Sequence, residues 1–598
     1  MTLNPPRTRW AVAAVALMVV AGMLAFPASP SGAAGPPDLF SESAEAATPF
    51  PGATRSRSAD LTNLLEGDGP VTATLNFFPD ASVTAIFTRY SSGVRTEWRG
   101  AIAGNPGHAV QIVISYGYVS GAATLVGLGS FAFSGAEGGP VLISQGDPRY
   151  KASESPVLAP TGAAEPRPIP RAGGTPVIDI MFLLTDDVID DSPYFYETPG
   201  DTETPKLTGR DLREAMLALG ELQIAKLNLG FANSEIEVEA RLVYAGEIEY
   251  DGDDDTGDPE NPNSSSAALD DLTFIDGQDC NGSVAGVQEC DPEGHMDEVR
   301  ALRNNYGADI VFLVTYHGDT GGTAWLLCAP DNEDPVPNAN ATCSPNFGYG
   351  LVDFAAAHLG LVTGHELGHL LGGRHDKYNG GGGVGPDRYA RGLLVPSEYR
   401  TLLAYACDPA DCENTFVLDQ LNNYSNPDVL VEGEPTGFPI GHAEQADMAS
   451  HIQLSAPFIA AFRNALECQG APVTMFGTPF DDRLLGDGTK NVIMGFDGDD
   501  VIKGYGADDV ICGGDGNDLI RGQGGKDRIY GQNGDDEIYG NAKADRMYGG
   551  NGDDFIRGGQ GEHDKLYGGP DTDKLQGGDG AFDECYDGEI VSGCETVG

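Results

Sequence analysis

Three hydrophobic rhythms follow one another along the chain. From about residue 60 to 150, apolar and polar positions alternate in short runs, such as Val71–Phe77, Ser82–Phe87, Gln111–Tyr116 and Val141–Ser144, with Gly and Pro between them. Alternation with a period of two gives each run one core face and one solvent face, so a small β-rich domain is predicted. A Pro- and Ala-rich stretch, Ser153 to Gly174, then has linker composition. From Thr175 the pattern changes. Val177–Leu184 is a continuous apolar run of buried-strand type, and Leu212, Met216, Leu219, Gln223 and Leu227 step at helical intervals. Glu235–Tyr244 alternates as a strand, Asp251–Asn263 has the acid, Gly, Pro and Asn content of an exposed loop, and a helix (Met296–Asn304) and a strand (Asp309–Thr315) follow. Strands alternating with helices predict an α/β domain.

The third rhythm is a strict repeat. From Gly477 every ninth residue is Gly up to Gly558, and one inserted residue moves the phase to Gly568 and Gly577. Each unit contributes one apolar residue to a thin core: Ile502, Ile511, Ile520, Ile529, Ile538, Met547 and Ile556. The sixth position carries an acid: Asp500, Asp509, Asp518, Asp527, Asp536 and Asp554. Stacked carboxylates with backbone carbonyls nearby offer the hard oxygens that Ca²⁺ requires. The pattern resembles the nonapeptide of RTX proteins, which implies a parallel β-roll with structural calcium. Units Gly477–Leu485, Gly486–Met494 and Gly540–Tyr548 lack the fourth-position Gly, and the insertion displaces Asp564, so calcium is expected chiefly in the other units.

Charge fits that reading. Lys and Arg number 35 against 90 acids, a formal net charge of −55. Such a surface repels nucleic acid and anionic membranes, which are excluded as partners, and an acidic excess of this kind suits a multi-calcium protein. Residues 1–35 read as a signal peptide: Arg7 and Arg9 precede an apolar run from Trp10 to Phe26, and small residues follow. A secreted, extracellular protein without a stable membrane anchor is therefore expected. All ten cysteines lie in the predicted exported part, beginning at Cys280. Their even number suits an oxidising compartment, and close spacings suggest bridges Cys280–Cys290, Cys328–Cys343, Cys407–Cys412 and Cys585–Cys594. Cys468 and Cys512 are left as a tie between domains.

One string carries the chemistry: His365, Glu366, Leu367, Gly368, His369, Leu370, Leu371, Gly372, Gly373, Arg374, His375, Asp376. The segment before it, Phe354–Val362, is rich in Ala and Leu as a core helix should be. On that helix His365 and His369, four apart, project from one face, and Glu366 can reach water on a metal they share. Gly372 lets the chain turn back, bringing in His375 as a third ligand and leaving a fourth tetrahedral position open, as catalytic zinc requires. His358, two turns earlier, is read as packed or solvated, and His295, His317, His442 and His451 as isolated.

These residues resemble the metzincin clan of zinc peptidases, with H-E-x-x-H-x-x-G-x-x-H and a Met-containing turn. Asp376, the string Arg400–Tyr405 and Tyr424-Ser425-Asn426-Pro427 look most like reprolysin-like enzymes of the peptidyl-Asp metallopeptidase type, over about Thr175 to Arg463. The resemblance implies peptide-bond hydrolysis with Glu366 as general base, and cleavage beside acidic residues for which Arg391 or Arg400 supplies charge. Leu403 stands where the family has its Met, a swap of similar volume that usually costs under about 1.5 kcal/mol. Tyr405 matches the place where some relatives hold a tyrosine near zinc.

The resulting expectation is a multidomain chain: signal peptide 1–35, β-rich propeptide candidate 36–152, linker 153–174, an α/β metzincin-type catalytic domain 175–470, and a calcium-binding parallel β-roll with its tail, 471–598. Its partners are protein or peptide substrates, and a monomer is favoured. The propeptide region has no Cys, so latency through a thiolate on zinc is excluded. The alternative is a catalytically inactive, calcium-dependent adhesion or matrix protein.

Overall fold

The computed structural model describes residues 36–597 except 42–44, 47–52, 61–69, 126–128, 147–156, 159–173, 251–267, 270–271, 274–297, 317–320, 329–342, 377–388, 396–398, 405–418 and a few isolated positions elsewhere. The signal-peptide reading, the loop Asp251–Asn263, the bridges Cys280–Cys290 and Cys407–Cys412, His295, His317 and Tyr405 all lie outside the described residues. Three bodies follow in chain order: a β-rich region, an α/β domain with the histidine string, and a parallel β-roll.

The β-rich region is one nine-stranded sheet, antiparallel at every pairing. The alternation seen in the sequence now has its cause: Leu75, Phe77, Phe87, Phe131 and Phe133 are buried together, and Phe77 stacks on Phe131 at 4.5 Å.

The α/β domain is built on strands β1 (Val157–Leu158), β2 (Val177–Thr185), β3 (Glu239–Ile248), β4 (Ile310–Thr315), β5 (Gly322–Leu326) and β6 (Tyr349–Asp353). They lie in the order β1-β5-β6-β4-β2-β3, parallel throughout except for β5 against β6. Helix α1 (Gly209–Asn233) covers the sheet. Its Met216, Leu219 and Leu227 join the main core, whereas Leu222 and Ala225 pack on Val113 of the β-rich region. The helix is thus apolar on two sides because two bodies cover it.

The stretch from Phe354 onward divides into α2 (Phe354–Leu359) and α3 (Val362–Leu370), a break that helical composition did not predict. The cause is long-range. Lys226 Nζ, fully buried on α1, donates to the carbonyls of Ala357 and His358 at 2.8 Å and of Gly360 at 3.2 Å. Those carbonyls satisfy the lysine instead of continuing the helix ladder. Burial pushes its ammonium down to about 7.

The C-terminal body has two parallel sheets, of eight and seven strands, with successive strands alternating between them. Strands pair with partners eighteen residues on, as Ile502 with Ile520 and Ile529 with Met547. The expected apolar residues form the core, joined by Leu566, Leu575 and Cys585. Tyr530, Tyr548, Tyr567 and Tyr586 stack along one sheet at 4.8, 4.7 and 5.0 Å. Bridges Cys328–Cys343, Cys468–Cys512 and Cys585–Cys594 are formed, and Cys468–Cys512 fastens the roll to the segment that enters it. The roll seats on the α/β domain through Arg241, which donates to Val473 O at 2.8 Å, and through Tyr306, 4.6 Å from Phe496.

Candidate metal centres

Helix α3 holds His365, Glu366 and His369, all buried. After it Gly372 turns at φ +94°, where a Cβ would strike His451 Nε2 and the Cys328 carbonyl. Only glycine fits that turn, and it carries the chain back to buried His375. The Nε2 atoms of His365 and His369 each lie 3.1 Å from His375 Nε2. A tetrahedral ion with Zn–N bonds of about 2.0–2.1 Å holds its nitrogens roughly 3.3 Å apart, so the triad has the spacing of a zinc site.

The outer nitrogens fix this arrangement. His365 Nδ1 meets Leu402 O at 2.6 Å, and His369 Nδ1 meets Gly373 O at 2.8 Å. A carbonyl accepts only from N–H, which leaves Nε2 as the lone-pair nitrogen on both rings. Burial lowers all three histidines, His369 to about 4, so they stay neutral as ligands must.

Glu366 is fully buried next to this triad, and β5 comes so close that a Cβ on Gly322 would lie 2.9 Å from Glu366 Cγ. Leu403 packs against the same helix: a Cβ on Gly368 would lie 2.9 Å from Leu403 Cδ2. Met448, opening helix α4 (Met448–Ile459), packs beside Gly373, so a methionine neighbours the turn that leads to His375. Tyr424 OH donates to Gly364 O at 2.7 Å. Arg400 donates to Ala404 O at 2.8 Å, and the backbone of Arg391 pairs with Arg374. His358 is not at the centre; it is buried against Phe354 and Tyr194, and burial lowers it to about 3. His451 is not isolated either, since Nε2 meets Cys328 O at 2.9 Å and Nδ1 meets Tyr389 OH at 3.2 Å. Sequence reasoning missed Gly322 and Met448, whose roles rest on long-range contacts with no local signal; it named Tyr424 within a motif but not its contact with Gly364.

In the roll, Asp500, Asp509, Asp518, Asp527, Asp536 and Asp554 are buried in rows. Each Oδ1 accepts from a backbone N–H eighteen residues earlier, as Asp518 from Asp500 at 2.8 Å and Asp527 from Asp509 at 2.9 Å. Each Oδ2 has no partner among the described residues. A Cβ on Gly495 would strike both Asp500 Oδ2 and Gly513 O, so glycine keeps open a space lined by a carboxylate and a carbonyl oxygen. Burying an unpaired carboxylate oxygen is costly unless a cation meets it, and this donor set suits calcium. Asp545, Asp564 and Asp583 also sit in these rows with Oδ2 unpaired, contrary to the expectation for the unit after Gly540 and for Asp564. The insertion is absorbed as a nineteen-residue step, Asp545 N to Asp564 Oδ1 at 2.8 Å, so the stacking survives.

Comparison with known proteins defines the class. Residues 215–414 match the model of metallo-peptidase family M12, and residues 476–511, 503–538, 530–562 and 562–581 match four copies of the RTX calcium-binding nonapeptide repeat. The chain carries a reprolysin-like M12 metallo-peptidase domain followed by RTX calcium-binding repeats. No curated protein matches it. A solved structure described as a chaperone-substrate complex matches at 20% identity with a TM-score of 0.29, covering 48% of this chain and 36% of that chain.

Proposed function

We propose that the chain is a secreted zinc-dependent metalloendopeptidase with His365, His369 and His375 as zinc ligands and Glu366 as general base. The observation that carries this is the convergence of three buried Nε2 atoms beside a buried glutamate. Bound zinc supplies acidification of water and polarisation of the scissile carbonyl. Glu366 would accept the proton of the attacking water and pass it to the leaving amine. The carbonyls of Leu402 and Gly373 hold His365 and His369 in the ligating tautomer throughout. Tyr405 is proposed to support the transition state, and the Asp rows to hold structural Ca²⁺.

Stripping the protein with a zinc-selective chelator is expected to abolish hydrolysis of an unfolded protein substrate, and zinc in slight excess to restore it. Hydrolysis that persists in verified metal-free protein would sink the reading and favour an unrelated mechanism.

The β-rich region is proposed as a propeptide, with the mature N-terminus between Ser153 and Thr175. It has its own core, and it meets the peptidase through contacts such as Gln111 Nε2 to Ala225 O at 2.7 Å and Val113 on Leu222 and Ala225. N-terminal sequencing of secreted, active enzyme checks this, and a start near Gly35 would show that the region is retained.

A further inference from the structure

Helix α4 presents one face to the turn that leads out of α3. Met448, His451 and Ser455 are spaced i, i+3 and i+7, so they share that face, and all three are buried. They meet three consecutive residues of the turn. Ser455 Oγ donates to Leu371 O at 2.8 Å, satisfying a carbonyl at the end of α3. A Cβ on Gly372 would strike His451 Nε2, and one on Gly373 would lie 2.8 Å from Met448 Sδ. His451 is itself held from both sides. Nε2 donates to Cys328 O at 2.9 Å, and burial keeps the ring neutral, so Nδ1 accepts from Tyr389 OH at 3.2 Å. Cys328 is bridged to Cys343, and Leu327 beside it donates to His369 O at 3.2 Å. The imidazole is therefore wedged between the chain just past β5 and the turn that delivers His375.

We propose that His451 is a positioning residue for the metal centre, moulding the Gly372 turn so that His375 closes on zinc; this rests on the zinc-site reading above. Two adjacent glycines carry no side chains of their own to fix the path of the chain. Its direction comes from what packs against it, and α4 supplies that packing at residues 371, 372 and 373 in succession. Beyond the turn, Arg374 N–H donates to Ala390 O at 2.8 Å, and Gly392 N–H donates to Arg374 O at 3.1 Å. Tyr389, at the start of that pairing segment, is the residue whose hydroxyl meets His451. One imidazole thus ties together both supports of the segment that carries His375. The turn also holds Gly373 O, the acceptor for His369 Nδ1. Loosening it would disturb two ligands, and His375 the more.

The test is the zinc affinity of the full chain in excess calcium, measured by competition with chromophoric chelators of graded strength, which does not depend on turnover. His451→Leu removes both hydrogen bonds and is expected to weaken zinc binding roughly 10–100-fold, the usual effect of losing a group that orients a ligand. His451→Gln returns an N–H to the place of Nε2 and is expected to recover most of the affinity. In a His375→Ala background, His451→Leu should cost markedly less, because the ligand it positions is gone. The proposal is overturned if folded His451→Leu binds zinc like the parent, if His451→Gln is no better than His451→Leu, or if the loss is equal in both backgrounds. Should His451→Leu fail to fold, Ser455→Ala and Tyr389→Phe decide: weakened zinc binding in either supports the proposal, and parental affinity in both overturns it. A parent chain that holds no zinc at the triad would instead refute the zinc-site reading, and this proposal with it.

Discussion

Replacing Glu366 by alanine is expected to lower kcat/KM on a protein substrate by on the order of a thousandfold while leaving zinc bound, since positioned proton transfer is worth roughly 10²–10⁴. Glu366 is not one of the converging nitrogens, and its neighbours on α3 are held independently through Leu402 O and Gly373 O. Removing it therefore takes the proton acceptor and spares the ligands. The smaller side chain relieves rather than crowds the contact with Gly322. Steady-state kinetics with metal analysis on the same sample read both halves of the expectation. Near-parental turnover in zinc-loaded protein would remove Glu366 from its role, and loss of zinc would place it among the groups that shape the site.

The candidate centre was legible where its geometry is local. His365, Glu366 and His369 share one helix, and the turn at Gly372 is written in three residues. What supports them was not legible. Lys226 splits the helix from 131 residues away by capping Ala357, and Met448 reaches Gly373 from a helix whose periodicity says nothing of it. The β-roll is the opposite case, since each unit contacts mainly its neighbours and a nine-residue period determines the fold. The missing fourth-position Gly hid Asp545, and the inserted residue hid further members of the rows. Counting strictly by nine loses Asp564 and Asp583, whereas the chain takes a nineteen-residue step and keeps them. Val157 and Leu158 sit in a stretch of linker composition, and composition cannot show that they pair with β5.

Calcium is expected to govern whether the roll is folded at all, and pH should reveal why. Without metal, burial is the largest cause raising the carboxyls of Asp500, Asp536 and Asp545 to about 8, Asp509, Asp518 and Asp554 to about 7, and Asp527 and Asp564 to about 6. An acid whose folded value lies above its ordinary value near 4 stabilises the fold fully below about pH 4 and loses that contribution as pH rises through the folded value. Metal-free roll is therefore expected to be most ordered near pH 4 and to unfold towards pH 8 as the raised carboxyls ionise. One apolar residue per unit offsets too little chain entropy to prevent it. Calcium at roughly millimolar levels should restore the fold at pH 8, and because it displaces protons, more calcium should be needed at pH 6. Circular dichroism and limited proteolysis of the full chain, titrated with Ca²⁺ at both pH values, follow these steps. A protease-resistant roll at pH 8 in excess chelator, unchanged by calcium, would mean that the fold stands without the ion.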